Sequence, residues 1–253
     1  MLKNLNRYIN NALGRTSPQI TQRANSPRQV LERCPGISEI RSVIDIGASD
    51  GRWSQAIQSL PFEAQFVLVE ANPIHYPALH AIASELGGAK IVEAAAGEEP
   101  GEINFDKGDP LGGVATSLSL TDFNSANFQA KHNLPEEDFI SVPVTSIDQL
   151  VCDFTLQPPF LIKIDTHGFE PQIIRGMKNT LKNPTILQIE AYNFELIHGS
   201  WKFHQLISEL EMLGFRVFDI GEMGHRPADQ ILWQMDIYFI TAESPIFRTT
   251  SYA

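Results

Sequence analysis

The chain is predicted to adopt an α/β, Rossmann-like fold, with a mostly parallel seven-stranded sheet, a terminal antiparallel strand and helices on both faces. Three observations predict it. Ser42-Val43-Ile44-Asp45-Ile46-Gly47-Ala48-Ser49-Asp50-Gly51-Arg52-Trp53 runs from an alternating apolar strand through two glycines into a helix. A second apolar run, Phe66-Val67-Leu68-Val69, then ends in a lone acid, Glu70. Together these make a βαβ half that binds nucleotides: glycines where backbone comes close to a ligand, then a carboxylate placed for ribose hydroxyls. Third, the strands at 216–220 and 234–241 lie too close in sequence for a crossover helix, so they pair antiparallel.

The remaining elements follow in order. Residues 1–40 read as an N-terminal helical extension: an amphipathic stretch (Leu2, Leu5, Tyr8, Ile9, Leu13), a polar segment, and a short helix over Arg28–Arg33 broken by Cys34-Pro35-Gly36. From residue 41 to 253 the order is that of one α/β domain. Strands fall at 43–46, 66–69 and 90–95, with helices at 52–60 and 75–86. Residues 97–120 suit a hairpin and loop, and Val142–Val144 a short strand. Ser146 caps a short helix, with Asp148 in its first turn. Two apolar strands, 160–164 and 185–189, flank a helix at 169–182, and a further helix spans 202–213. Parallel βα units closed by an antiparallel pair describe the sheet of S-adenosylmethionine-dependent methyltransferases.

Composition narrows the function. The 253 residues carry a formal charge of −11, which repels nucleic acid and anionic membranes at long range. Cys34 and Cys152 are far apart, match no metal spacing and read as reduced thiols. No signal peptide and no apolar run long enough to span a bilayer is visible, which points to the cytoplasm. The amphipathic N-terminal stretch suits packing on its own domain and is compatible with a homodimer.

The donor-site candidates are Asp45, Gly47, Ala48, Gly51, Glu70 and Ala71. The turn lacks the G-x-G-x-x-G arrangement that seats a pyrophosphate, and Asp45 would repel one. A ligand with ribose and no phosphate fits, and S-adenosylmethionine is such a ligand. Glu70 would accept hydrogen bonds from the ribose diol. The acceptor-site candidates come from Leu161-Ile162-Lys163-Ile164-Asp165-Thr166-His167-Gly168-Phe169-Glu170. A lysine in a buried central strand is costly unless paired. Alternation puts Lys163, Asp165 and His167 on one side, and the next strand offers Gln188 and Glu190. If those strands are neighbours, the charged groups converge at the carboxyl edge of the sheet, where ligands bind. Lys163 and Glu170 serve equally as scaffold or site on this reading.

Four segments resemble the FkbM-type methyltransferase family: Val43–Gly51, Val69-Glu70-Ala71-Asn72-Pro73, Val144–Asp148, and Leu161–Glu170 followed by Gly176. The resemblance covers residues 41 to 240. It implies that 41–253 is a class I methyltransferase domain with S-adenosylmethionine as donor. It also implies O-methylation of a hydroxyl on a sugar, glycan, polyketide or related metabolite. The family's last motif often carries an acid where this chain has His167, which here supplies an imidazole.

Transfer of a methyl group to an alcohol needs the oxygen held in line, about 3 Å from the methyl carbon, and a base for its proton. His167 is the first candidate because imidazole titrates near neutral pH, and Asp165 the second, as base or as the group orienting His167. This reading carries no metal; were a divalent ion present, Asp165, His167 and Glu190 would hold it. Of the other histidines, His198 alone sits on a loop after a central strand, and residues 106–117 could form a lid. Two competing readings are an NAD-linked oxidoreductase, since Glu70 serves either ribose, and a module that binds an adenosyl ligand or a partner without turnover.

Overall fold

The computed structural model describes residues 26–106, 139–197 and 199–251. Helix α1 (Pro27–Leu31) opens on a proline, at a position whose N–H has no intrahelical partner anyway. Strand β1 (Ser42–Ile46) is buried along its length, as a strand covered on both faces must be. Gly51, left-handed at φ +79°, leads into α2 (Arg52–Ile57). Strand β2 (Gln65–Glu70) is followed by Asn72, whose side chain accepts the Ile74 N–H and starts a short 3₁₀ turn. Helix α3 (Tyr76–Ile82) and strand β3 (Lys90–Glu93) complete the first half.

A small second sheet follows, made of β4 (Ala95–Ala96), β5 (Gly101–Asp106) and β6 (Phe139–Thr145) in the order β4-β6-β5. Strand β6 contains the predicted Val142–Val144 strand; β5, within the 97–120 segment expected to form a hairpin and loop, pairs antiparallel with β6 instead, and residues 107–120 lie outside the described residues. Helix α4 (Ile147–Asp153) is capped as predicted, with Ser146 Oγ accepting the Gln149 N–H at 3.2 Å. Then come β7 (Phe160–Ile164), α5 (Glu170–Arg175), β8 (Thr185–Tyr192), α6 (Phe203–Met212), β9 (Phe215–His225) and β10 (Leu232–Thr241). Helices α2, α3 and α5 are shorter than predicted. Gly176 ends α5 where the chain lies flat on the Gly97 backbone; a Cβ there would come 2.0 Å from the Gly97 carbonyl oxygen.

The main sheet has seven strands in the order β3-β2-β1-β7-β8-β10-β9. Strands β3, β2, β1, β7 and β8 pair parallel, and β10 runs antiparallel to both β8 and β9. The predicted antiparallel pair is therefore present, with β10 inserted between β8 and β9. Alternation along the strands divides the core. Ile44, Ile46, Val69, Ile162 and Ile189 pack on one face with Ile147, Leu150 and Ile173 of α4 and α5. Val43, Leu68, Leu161 and Tyr238 pack on the other with Leu31, Trp53, Ile57 and Leu79 of α1 to α3. Helices thus cover both faces, and α1, at the described end of the N-terminal extension, is packed into the second core layer. The carboxyl ends of β1, β2, β7 and β8 are left side by side along one edge.

Candidate active site

Three left-handed residues bend the turn between β1 and α2: Gly47 (φ +71°), Ser49 (φ +49°) and Gly51 (φ +79°). The N–H groups of Gly47 and Ala48 donate to the Val69 carbonyl at 3.0 and 3.1 Å, drawing the turn onto the end of β2. A Cβ on Gly47 would stand 1.9 Å from the Asp165 carbonyl oxygen, and one on Gly51 would stand 2.0 Å from Ile82 Cδ1. Backbone packing therefore demands Gly47, while at Gly51 the movable tip of Ile82 leaves the left-handed φ as the stronger demand. Glu70 is 7% exposed. Its Oε2 accepts the Ser49 N–H and its Oε1 the Asn72 N–H, both at 2.7 Å. Burial raises the pKa of this carboxyl against the pull of those two amides. Ala48 is buried, and the carbonyl of half-buried Ala71 accepts the Tyr76 hydroxyl at 3.2 Å.

Asp45 is fully buried and faces inward. Its carboxylate accepts Ser54 Oγ at 2.7 Å and Lys163 Nζ at 3.2 Å, so it positions its neighbours and has no oxygen facing solvent. Lys163 also donates to the Gly47 carbonyl at 3.1 Å and lies 3.3 Å from Asp165 Oδ2. Burial works against its charge, but Asp45 and Asp165 outweigh it and raise its pKa. The lysine expected to need a partner has two, and it ties the turn after β1 to the end of β7. Removing either partner of such a buried pair costs about 3–5 kcal/mol.

Strands β7 and β8 are neighbours, with Lys163 opposite Gln188. Strand β7 ends at Ile164; the Asp165 N–H still donates to the Ile46 carbonyl at 3.0 Å, and His167 takes a left-handed φ of +56°. Glu170 holds this loop: its Oε1 accepts the Gly168 N–H at 2.9 Å and Thr166 Oγ1 at 3.2 Å. It is buried and belongs to the scaffold. His167 Nδ1 lies 3.2 Å from Glu190 Oε2 and shares the Tyr192 hydroxyl. Burial opposes the imidazolium, but the Glu190 hydrogen bond and the Asp165 charge overcome it, and the pKa is raised to about 9. The ring is therefore a cation at neutral pH, where the sequence suggested ordinary imidazole titration. The nearest donor atoms of Asp165, His167 and Glu190 all lie within 4.8 Å of one another.

The sequence reading missed several members of this edge. Tyr192 donates to Glu190 Oε2, and Gln234 Nε2 donates to Glu190 Oε1. Trp53 Nε1 donates to Gln188 at 2.9 Å, and Gln188 donates to Asp236 Oδ2 at 2.8 Å. Burial and the charges of Asp165, Glu190 and Glu222 push the Asp236 carboxyl up to about 7. Tyr192 could have been found by extending the alternation of Gln188 and Glu190 one step further. Gln234 and Asp236 could not, because they arrive by the β8–β10 pairing, in which Asp236 sits opposite Glu190. The amphipathic stretch at 2–13, residues 107–117, His132 and His198 lie outside the described residues.

A sheet in this order, with a glycine turn after β1 and an acidic residue ending β2, has the arrangement of the class I methyltransferase fold. The methyltransferase FkbM domain family matches residues 45–217, and the chain belongs to that family. Its sequence is 25% identical to the 2-O-methyltransferase NoeI of Sinorhizobium fredii (strain NBRC 101917 / NGR234) over 174 residues, 66% of this chain and 70% of that protein. Among solved structures it is similar to the methyltransferase FkbM of Methylobacillus flagellatus KT, with 16% identity and a TM-score of 0.47, over 79% of this chain and 44% of that one. The chain thus spans less than half of that relative's length. It is also similar to the Burkholderia thailandensis 1,6-didemethyltoxoflavin-N1-methyltransferase, with 12% identity and a TM-score of 0.43, over 85% of this chain and 77% of that one. Among the described residues, no helix is long and apolar enough to cross a membrane.

Proposed function

We propose that this methyltransferase takes its methyl group from S-adenosylmethionine and transfers it to a hydroxyl oxygen of a sugar, glycan or related metabolite. The observation that carries the donor assignment is Glu70: a buried carboxylate at the end of β2, held by the amides of the turn itself. A carboxylate has about four lone-pair sites, and two are in use here, so two remain for a ribose diol. Asp45 contributes from behind, by fixing Lys163 and Ser54. Similarity to a protein named as a 2-O-methyltransferase supports oxygen as the accepting atom.

When bound, the donor supplies a methyl cation equivalent: the carbon–sulfur bond breaks with its electrons left on sulfur, a carbon–oxygen bond forms, and the hydroxyl proton leaves. The chain's part is to position the hydroxyl and receive that proton. Asp165 and His167 stand at the carboxyl end of β7, joined to the donor turn through Lys163 and the Gly47 carbonyl. Glu190 and Tyr192 fix the ring. In this arrangement His167 takes the proton after releasing its own to solvent, and the charge of the Asp165 carboxylate favours the imidazolium that forms. Isothermal titration tests the donor half: micromolar binding of S-adenosylmethionine and S-adenosylhomocysteine, with no binding of NAD, is expected. Binding of NAD alone overturns it.

A further inference from the structure

Three side chains from two adjacent strand ends, two carboxylates and an imidazole, point their donor atoms at one another with spacings that one ion could bridge. We infer that Asp165, His167 and Glu190 are the ligands of a divalent first-row transition-metal ion at the carboxyl edge of the sheet.

The geometry around the three supports this beyond their proximity. Each carboxylate is already gripped from outside the trio: Asp165 by Lys163 at 3.3 Å, Glu190 by Gln234 and Tyr192. Such outer partners orient metal ligands, and losing one commonly costs 10–100-fold in affinity. The loop that carries His167 is pinned by Glu170, so the ring's left-handed backbone is imposed by the fold. Carboxylate with imidazole suits Mn²⁺, Fe²⁺ or Zn²⁺ better than the all-oxygen shell preferred by Ca²⁺.

The ion would displace the proton from the ring, because a histidine ligates only when neutral. It would also acidify an acceptor hydroxyl bound to it, so that in the loaded protein the ion replaces the ring as the means of activating that hydroxyl. This last consequence rests on the methyl-transfer reading; the binding of the ion does not.

The test is Mn²⁺ binding to chelator-treated protein, followed by the loss of the free-ion electron paramagnetic signal, with S-adenosylhomocysteine titrated into the same preparations. Wild-type protein is expected to bind one Mn²⁺ per chain. Asp165→Asn and Glu190→Gln are each expected to weaken that binding at least tenfold, and the surface variant Glu98→Gln to leave it unchanged. Retained S-adenosylhomocysteine affinity reports that a variant is folded. If a variant fails to fold, Gln234→Ala, which removes only an outer partner, is expected to weaken Mn²⁺ binding about tenfold. Wild-type binding no tighter than that of the folded Asp165→Asn and Glu190→Gln proteins overturns the metal site while leaving the donor assignment intact. Mn²⁺ binding without adenosyl binding overturns the donor assignment and keeps the metal.

Discussion

His167 combines a left-handed backbone with a ring fixed between Glu190, Tyr192 and Asp165, and its charge follows from that setting. In the metal-free protein an NMR titration of the ring is expected to show a midpoint near 9, above the ordinary value of 6.5. The raised folded pKa fixes the sign of the linkage. The ring's contribution to stability is complete below pH 6.5 and is lost as pH rises through about 9. Denaturation of wild type and His167→Gln at a series of pH values is therefore expected to give curves that converge toward pH 9. Metal-free turnover through this base should climb over the same range. Glu70 belongs to the same scale. Glu70→Ala removes the acceptor for the Ser49 and Asn72 amides as well as the proposed ribose contact. Calorimetry is expected to show at least a tenfold loss of adenosyl affinity, and an unchanged affinity would refute the donor assignment.

The elements meet through backbone contacts that leave no room for a methyl group. Gly47 lies on the end of β7 and Gly176 on the Gly97 backbone. Gly47→Ala and Gly176→Ala each drive a Cβ to about 2 Å from a carbonyl oxygen, so both are expected to lower the melting temperature clearly in calorimetric scans. Gly47 adds the cost of a side chain at positive φ, about 1 kcal/mol. The Val144–Asp148 motif turns out to be scaffold of the same kind. Ser146 caps α4, while Asp148 accepts the Asn179 N–H at 2.9 Å and the Thr180 N–H and Oγ1 at 2.8 and 2.7 Å. It joins the start of α4 to the turn after α5.

At the scale of the whole molecule, the described part of the N-terminal extension is built into the core. Val30 and Leu31 are fully buried beside Val43 and Leu161, and Arg33 pairs with Asp219 of β9. Leu31→Ala is expected to cost about 2–5 kcal/mol, as for other buried leucines, in chemical denaturation. A cost below about 1 kcal/mol would mean that the extension merely rests on the surface. The helices covering the two faces leave the carboxyl edge as the place where β1, β2, β7, β8 and β10 all deliver polar groups.

By itself the sequence determined the α/β class, the antiparallel tail, the cap of α4 and both halves of the candidate site. These are properties of local pattern: alternation along a strand, glycine at a turn, an acid ending a strand, a lysine that cannot stand alone in an apolar run. Only the tertiary structure decided which neighbours those residues serve. Asp45 turned inward to Lys163 and Ser54, Gly51 answered to Ile82, and Glu170 became the pin of the His167 loop. Gln234 and Asp236 entered the site through the antiparallel register of β10, which no run of adjacent residues encodes. The charge of His167 was decided in the same way. A pKa depends on what lies within a few ångströms in space, and Glu190 is brought there by a strand 23 residues further along the chain.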